Sequence, residues 1–181
     1  MTIKQNIINI LDELKRNEAI INENDFQHIL YDILNANHIF LSGKGRSGLV
    51  ISAFANRLMH LGLSVSLVGE ITSPHTIKND LLILSSGSGE TKSLFSIITV
   101  AKKENVKVVL FTTNPSSSLA KMADTCIIIP GSSKLTNKSI QPMASAFEQL
   151  CFIVYDAIIL ELMNALNQNT EQMFSRHANF E

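Results

Sequence analysis

The chain has 181 residues, a formal net charge of −1, 45% hydrophobic and 17% charged residues, and no tryptophan. That length fits one domain with one sizeable core; the composition excludes a disordered chain, and scattered cations at near-zero net charge exclude the basic footprint of a nucleic-acid binder. Cys126 and Cys151 lie in apolar runs with no CxxC or Cys/His spacing, so neither a disulfide framework nor a metal site is expected, and the first residues match neither a signal peptide nor a membrane span, which points to a cytoplasmic protein without a membrane partner.

Ile3, Ile7, Ile10, Leu11 and Leu14 form one helical stripe, and Phe26, Ile29, Leu30, Ile33 and Leu34 repeat it after Asp25, a candidate N-cap. From residue 38 the period changes. Five short apolar runs follow, at 38–42, 64–68, 81–84, 107–112 and 126–130, bounded by Gly, Ser, Asn or Pro and mostly separated by segments of helix length. This is the pattern of a parallel sheet covered on both faces. The expected fold is α/β, a three-layer αβα sandwich on a five-stranded parallel sheet, with crossover helices at 47–61 and 90–104 and a shorter one in "SSSLAKMA". The expected organisation is one domain over 1–181: N-terminal helices to 35, a sheet core over 36–142, a C-terminal helix over 143–166 and a tail over 167–181. The last helix is apolar almost all round, and a second subunit is the simplest cover for it, so a homo-oligomer is expected.

Two strands end in unusual loops, and in open parallel sheets ligands bind beyond the carboxyl ends of the strands. "GKGRSG" at 43–48 formally matches GxGxxG, with Glu70 near the end of the second strand, but a dinucleotide domain would use the whole chain and leave none for a substrate. "SSGSGET" at 85–91 carries more information. Gly87 and Gly89 let the backbone approach an anion, Ser86, Ser88 and Thr91 offer hydroxyls, and a helix begins there with unpaired N–H groups. These make a phosphate cradle without a lysine, while the plainer alternative is a turn in which Ser86 or Ser88 caps the helix. With no GxxxxGK[ST] in the chain, a small phosphorylated metabolite is a better candidate than a magnesium nucleotide.

The loops "SSGSGET" and "GKGRSG", with the helix and strand "KSLFSIITVAKKENVKVVLFTTN", resemble the sugar isomerase (SIS) domain over residues 25–170. Within that superfamily, "SGKGRSG", "SIQPMASAFEQ" and "RHANFE" are similar to the 6-phospho-3-hexuloisomerase family. The resemblance implies a flavodoxin-like or Rossmann-like sandwich, no cofactor, a homotetramer and a phosphorylated ketohexose substrate. It also implies substrate contacts from Ser47 and from Ser86 through Thr91, and Glu148 as catalytic base.

The residues themselves allow that chemistry. Moving a carbonyl from C3 to C2 requires a proton to leave C2 and return at C3, which one carboxylate can do. Glu148 and Asp156 are the only charged residues between Lys138 and Glu161, and Glu148 lies nearer the start of its helix. A lone carboxylate in apolar surroundings is the kind of group that burial turns into a base near neutral pH, although Glu148 could instead pair with a cation across a subunit interface. Glu90 is expected to turn away from the phosphate, favour the dipole of its own helix and contribute mainly backbone N–H. His177, beside Arg176 in the polar tail, is a candidate proton shuttle reaching a neighbouring subunit's site, or part of a frayed terminus. Arg46 is a candidate contact to phosphate or hydroxyl, or simply an exposed loop residue. Another SIS isomerase acting on arabinose 5-phosphate, or a non-catalytic sugar-phosphate sensor, remains an alternative.

Overall fold

A computed structural model describes residues 2–26, 28–131 and 139–179. The elements run α1 (Ile3–Glu18), a 3₁₀ turn (Glu23–Phe26), α2 (Ile29–Asn35), β1 (Ile39–Gly43), α3 (Arg46–His60), β2 (Val65–Leu67), β3 (Leu81–Ser85), α4 (Lys92–Lys103), β4 (Lys107–Thr112), α5 (Ser118–Met122), β5 (Thr125–Ile128), α6 (Ser145–Ala165) and α7 (Thr170–Phe174). The five strands form one parallel sheet in the order β2-β1-β3-β4-β5. The α/β sandwich expected from the run pattern is the observed fold.

The apolar runs are continuous because alternate residues enter different cores. Ile39 and Leu41 of β1, Leu81 and Ile83 of β3, and Val109 and Phe111 of β4 face a core with α1, α2, α3 and α6. Phe40, Leu82, Leu84, Val108 and Leu110 face the opposite one, with α4 and α5. Each fully buried Leu or Ile contributes about 1.5–3 kcal/mol, so both faces of the central strands must be apolar and a period-two alternation of polar residues is absent. Tyr155 of α6 closes the first core, stacked on Phe54 at 4.6 Å and edge-on to Phe111 at 5.0 Å.

One local expectation needs correction. Asp25 does not cap α2. It lies inside the 3₁₀ turn, its carboxylate accepting from Asn22 Nδ2 at 3.1 Å, and α2 starts after His28, which makes no side-chain cap. Within the C-terminal segment, Asn169 and Gln172 form a reciprocal capping box that starts α7. Of the irregular stretch 131–142, residues 132–138 lie outside the described residues. Among the described residues, no helix is long and apolar enough to cross a membrane.

The amphipathic stripe of α1 is only partly used by the chain's own core. Leu14 is buried and Ile10 packs against the core, whereas Ile3, Ile7 and Leu11 are exposed; on α6, Phe152, Ile153 and Leu160 are exposed too.

Candidate functional site

The strand order reverses direction between β1 and β3: the chain moves from β1 to β2 on one side and from β3 to β4 on the other. Loops leaving β1 and β3 therefore diverge and open a crevice at the carboxyl edge, where α/β folds hold ligands. Both loops singled out in the sequence, 43–48 and 85–91, sit there.

The first loop is a tight strand-to-helix turn. A Cβ on Gly48 would come within 2.9 Å of the Gly43 carbonyl oxygen, and one on Gly43 within 3.0 Å of the Gly48 nitrogen. The glycine spacing is thus explained by close packing of α3 on β1, and it delivers Arg46 and Ser47 to the edge as the first residues of α3.

The second loop is a compact cradle. Ser86 and Thr91 join their hydroxyls at 2.8 Å, and Gly89 N–H donates to Ser86 Oγ at 3.2 Å. Neither Ser86 nor Ser88 caps α4. The N-cap is Thr91, whose hydroxyl is turned to Ser86 and makes no capping bond, so no side chain caps the first turn of α4. Exposed N–H groups and the positive end of a twelve-residue helix favour an anion at this point. Ser88 Oγ accepts from Glu90 N–H at 3.2 Å, which uses locally the N–H expected for a ligand. The Glu90 side chain does turn away, but to a different helix from the one expected: its Oε1 accepts from Ser118 N–H, in the first turn of α5, at 2.7 Å.

Glu148 arrives from α6. The turn before it includes Met143 at φ 55°, and Phe147 inserts its ring against the cradle, where a Cβ on Gly87 would meet it at 3.1 Å. The next residue, Glu148, is buried, and its carboxylate is not alone. Ser47 Oγ donates to Oε1 at 3.3 Å, and Arg46 Nε lies 3.4 Å from Oε2. Arg46 Nη1 also donates to Ser145 Oγ at 2.7 Å. The expectation of an isolated carboxylate is thereby corrected: a cation from the same chain, 102 residues earlier, stands beside it. Arg46 keeps 49% of its side chain exposed against 11% for Glu148, so the guanidinium forms the outer wall and the carboxylate the floor.

Beneath the floor lie Cys151, Tyr155 and Ser85. Burial pushes the Cys151 thiol far above its ordinary range, and burial likewise raises the Tyr155 phenol. Both are neutral at working pH, and neither the Tyr155 hydroxyl nor Ser85 Oγ has a well-formed hydrogen bond.

His177 is not brought to Glu148 within the chain. Its ring stacks on His60 at 5.2 Å, and Arg176 donates to the His60 carbonyl at 3.0 Å. His60 ends α3 at the amino edge of the sheet, and fifteen helical residues put it about 20 Å from the crevice. His38 occupies the same far edge, between Ser64 Oγ at 2.7 Å and Ser66 Oγ at 2.9 Å. Among the described residues, no cluster of three or more His, Cys, Asp or Glu side chains is placed to hold a metal ion.

Sequence reasoning missed Ser145 and the loop after β4. The stretch "TTNPSSS" at 112–118 is a third hydroxyl-rich exit on the same edge, and that composition was the available signal.

The chain is similar to known proteins along its whole length. The SIS domain family model matches residues 32–160. A Bacillus subtilis 3-hexulose-6-phosphate isomerase is 43% identical, with all of both chains covered, and a Methanocaldococcus jannaschii protein of the same name is 35% identical over 99% of this chain and 96% of its own. A solved Methanococcus jannaschii structure, inferred to be a 3-hexulose-6-phosphate isomerase, superposes with a TM-score of 0.84 at 32% identity, covering 98% of this chain and 99% of that one. With the family model spanning most of the sheet and relatives aligned from end to end, the chain belongs to the SIS-domain family.

Proposed function

We propose that the chain interconverts D-arabino-hex-3-ulose 6-phosphate and D-fructose 6-phosphate. The family and the full-length relatives make it a sugar-phosphate isomerase. The observation that carries the further assignment is the Glu148 carboxylate, held by Ser47 and Arg46 at the carboxyl edge, next in sequence to the phenylalanine whose ring packs on the cradle at Gly87.

In this reading the phosphate rests on the 86–91 loop and the start of α4, with Ser86, Ser88 and Thr91 as hydroxyl contacts and Gly87 contributing backbone, while the N–H groups of Gly89 and Glu90, bonded to Ser86 and Ser88, hold the loop in shape. That anchor places C2 and C3 over Glu148. The carboxylate takes the C2 proton, the electron pair forms the C2–C3 double bond, and the C3 carbonyl oxygen receives a proton to give the 2,3-enediol. Return of the proton from Glu148 to C3 and loss of the C2 hydroxyl proton leave the carbonyl at C2. Arg46, charged and half exposed beside the carboxylate, is positioned to stabilise developing negative charge on the enediol oxygens, and Ser47 orients the base. No step requires a metal or an organic cofactor.

A homotetramer belongs to the same proposal. The exposed Ile3, Ile7 and Leu11 of α1 and Phe152, Ile153 and Leu160 of α6 are apolar surface that further copies would cover. His177 of a second copy is then the candidate proton shuttle, since its own chain holds it at the opposite edge. The experiment is turnover of a phosphosugar panel by the purified chain, with hex-3-ulose 6-phosphate and arabinose 5-phosphate as the deciding members and light scattering for the assembly. Production of fructose 6-phosphate is expected; turnover of arabinose 5-phosphate alone would overturn the assignment.

A further inference from the structure

We infer that Glu90 is a positioning residue, whose carboxylate holds the phosphate cradle in its receptive shape by anchoring it to the start of α5. The inference rests on the reading of the 86–91 loop as a phosphate site.

An acid inside a phosphate loop is costly, because like charges repel and nothing in the chemistry of binding requires it. Its position has a structural explanation. The loop is tied to the β4–α5 connection through its carbonyl side. Gly87 O accepts from Thr113 N–H at 3.1 Å, Thr113 Oγ1 at 2.8 Å and Thr112 Oγ1 at 3.2 Å. Gly89 O accepts from Leu119 N–H at 3.1 Å. Ser117 Oγ packs so closely that a Cβ on Gly89 would fall 1.9 Å from it. With these carbonyls drawn toward α5, the opposite side of the loop presents donors to an anion.

Glu90 supplies the last of these tethers, and among the described residues the only charged one. Its bond from Ser118 N–H, 2.7 Å long, fixes the segment immediately before α4, the point where the loop must hand the ligand to the helix. Hydrogen bonds to ionised acceptors are the stronger kind, and this one fastens a residue that is otherwise exposed.

Glu90→Gln removes the charge and keeps an acceptor oxygen; Glu90→Ala removes both. If charge alone mattered, both variants would bind a phosphosugar more tightly. Tethering predicts that Glu90→Ala raises KM about tenfold and weakens competitive inhibition by inorganic phosphate to the same degree, the loss typical of one charge-assisted bond. It leaves kcat within about twofold, while Glu90→Gln, which keeps the acceptor oxygen without its charge, shows a smaller rise in KM, about two- to threefold. Hydrogen exchange on the ligand-free chain gives an independent readout: amides 86–91 and 118 exchange faster in Glu90→Ala and less so in Glu90→Gln. Tighter binding in both variants, or unchanged KM and unchanged exchange in Glu90→Ala, overturns the inference. If the parent chain fails to turn over hex-3-ulose 6-phosphate while the exchange pattern appears as described, the proposed function falls and the tether stands.

Discussion

Replacing Glu148 by Gln tests the assignment of the base most directly. Glutamine has the same shape, so Ser47 can still donate to Oε1, now an amide oxygen, across the 3.3 Å contact. What is lost is the ability to take a proton and the ion pair with Arg46. The second loss is small for stability, because Arg46 keeps 49% of its side chain exposed to water while the buried carboxylate is exchanged for a neutral amide that needs no counter-charge, so the loss is about 1 kcal/mol. For a chain of this size that corresponds to a melting shift of at most about 4 °C. The first loss falls on the transition state: a positioned general base contributes about 10²- to 10⁴-fold. The expected result is therefore a folded protein with KM near the parent value and kcat lower by about three orders of magnitude. The assay couples fructose 6-phosphate to glucose-6-phosphate dehydrogenase through phosphoglucose isomerase. Exchange of the C2 hydrogen with deuterated water, read by NMR, should disappear in parallel. A kcat within tenfold of the parent, or C2 exchange that persists, would refute the role of Glu148.

Gly89→Ala should be among the more damaging single methyl additions, since φ is 65° and the new Cβ would lie 1.9 Å from Ser117 Oγ. A loss of about 1–3 kcal/mol in urea unfolding, with weaker phosphate binding, is the expected outcome. Tyr155→Phe removes a buried hydroxyl without a well-formed hydrogen bond, so stability at neutral pH should change by less than about 1 kcal/mol. Its consequence appears at high pH. The folded-state pKa values of Tyr155 and Cys151 are raised by burial, so the folded chain retains protons that the unfolded chain releases. Their contribution is complete below the unfolded-state values and is lost as pH rises above them. Melting temperature should fall above about pH 9, where cysteine and then tyrosine ionise in unfolded chains, and Tyr155→Phe should flatten the part of that decline beyond about pH 10. An equally steep decline in the variant would show that the phenol is not responsible.

Much of the architecture was legible because its causes are local. The run 107–112 coincides with β4 to the residue, and the other runs find their strands within a residue or two at the ends, since a strand buried on both faces needs consecutive apolar side chains wherever it sits in the sheet. The cradle was legible for a similar reason. Its glycines and hydroxyls are contiguous, and a strand before them with a helix after them fixes which way the N–H groups point. The amphipathic period of α1 also showed its apolar stripe, but a period does not say what covers that stripe, and Ile3, Ile7 and Leu11 lie outside the chain's own core.

The partnerships inside the site were decided only by tertiary structure. Ser47 and Glu148 are 101 residues apart and Arg46 and Ser145 are 99 apart, and they meet because α3 and α6 pack side by side on one face of the sheet with their first turns at the same edge. Glu90 reaches Ser118, rather than the dipole of its own helix, because α4 and α5 share the opposite face. His177 shows the converse: its polar neighbours suggested a catalytic tail, yet α7 folds it against the far end of α3, a helix's length from its own carboxylate. Composition and spacing determined that a loop of glycines and hydroxyls precedes a helix and that a carboxylate stands in a largely apolar helix. Which side chains stand beside them followed from strand order and helix packing, which bring together residues that no local period connects.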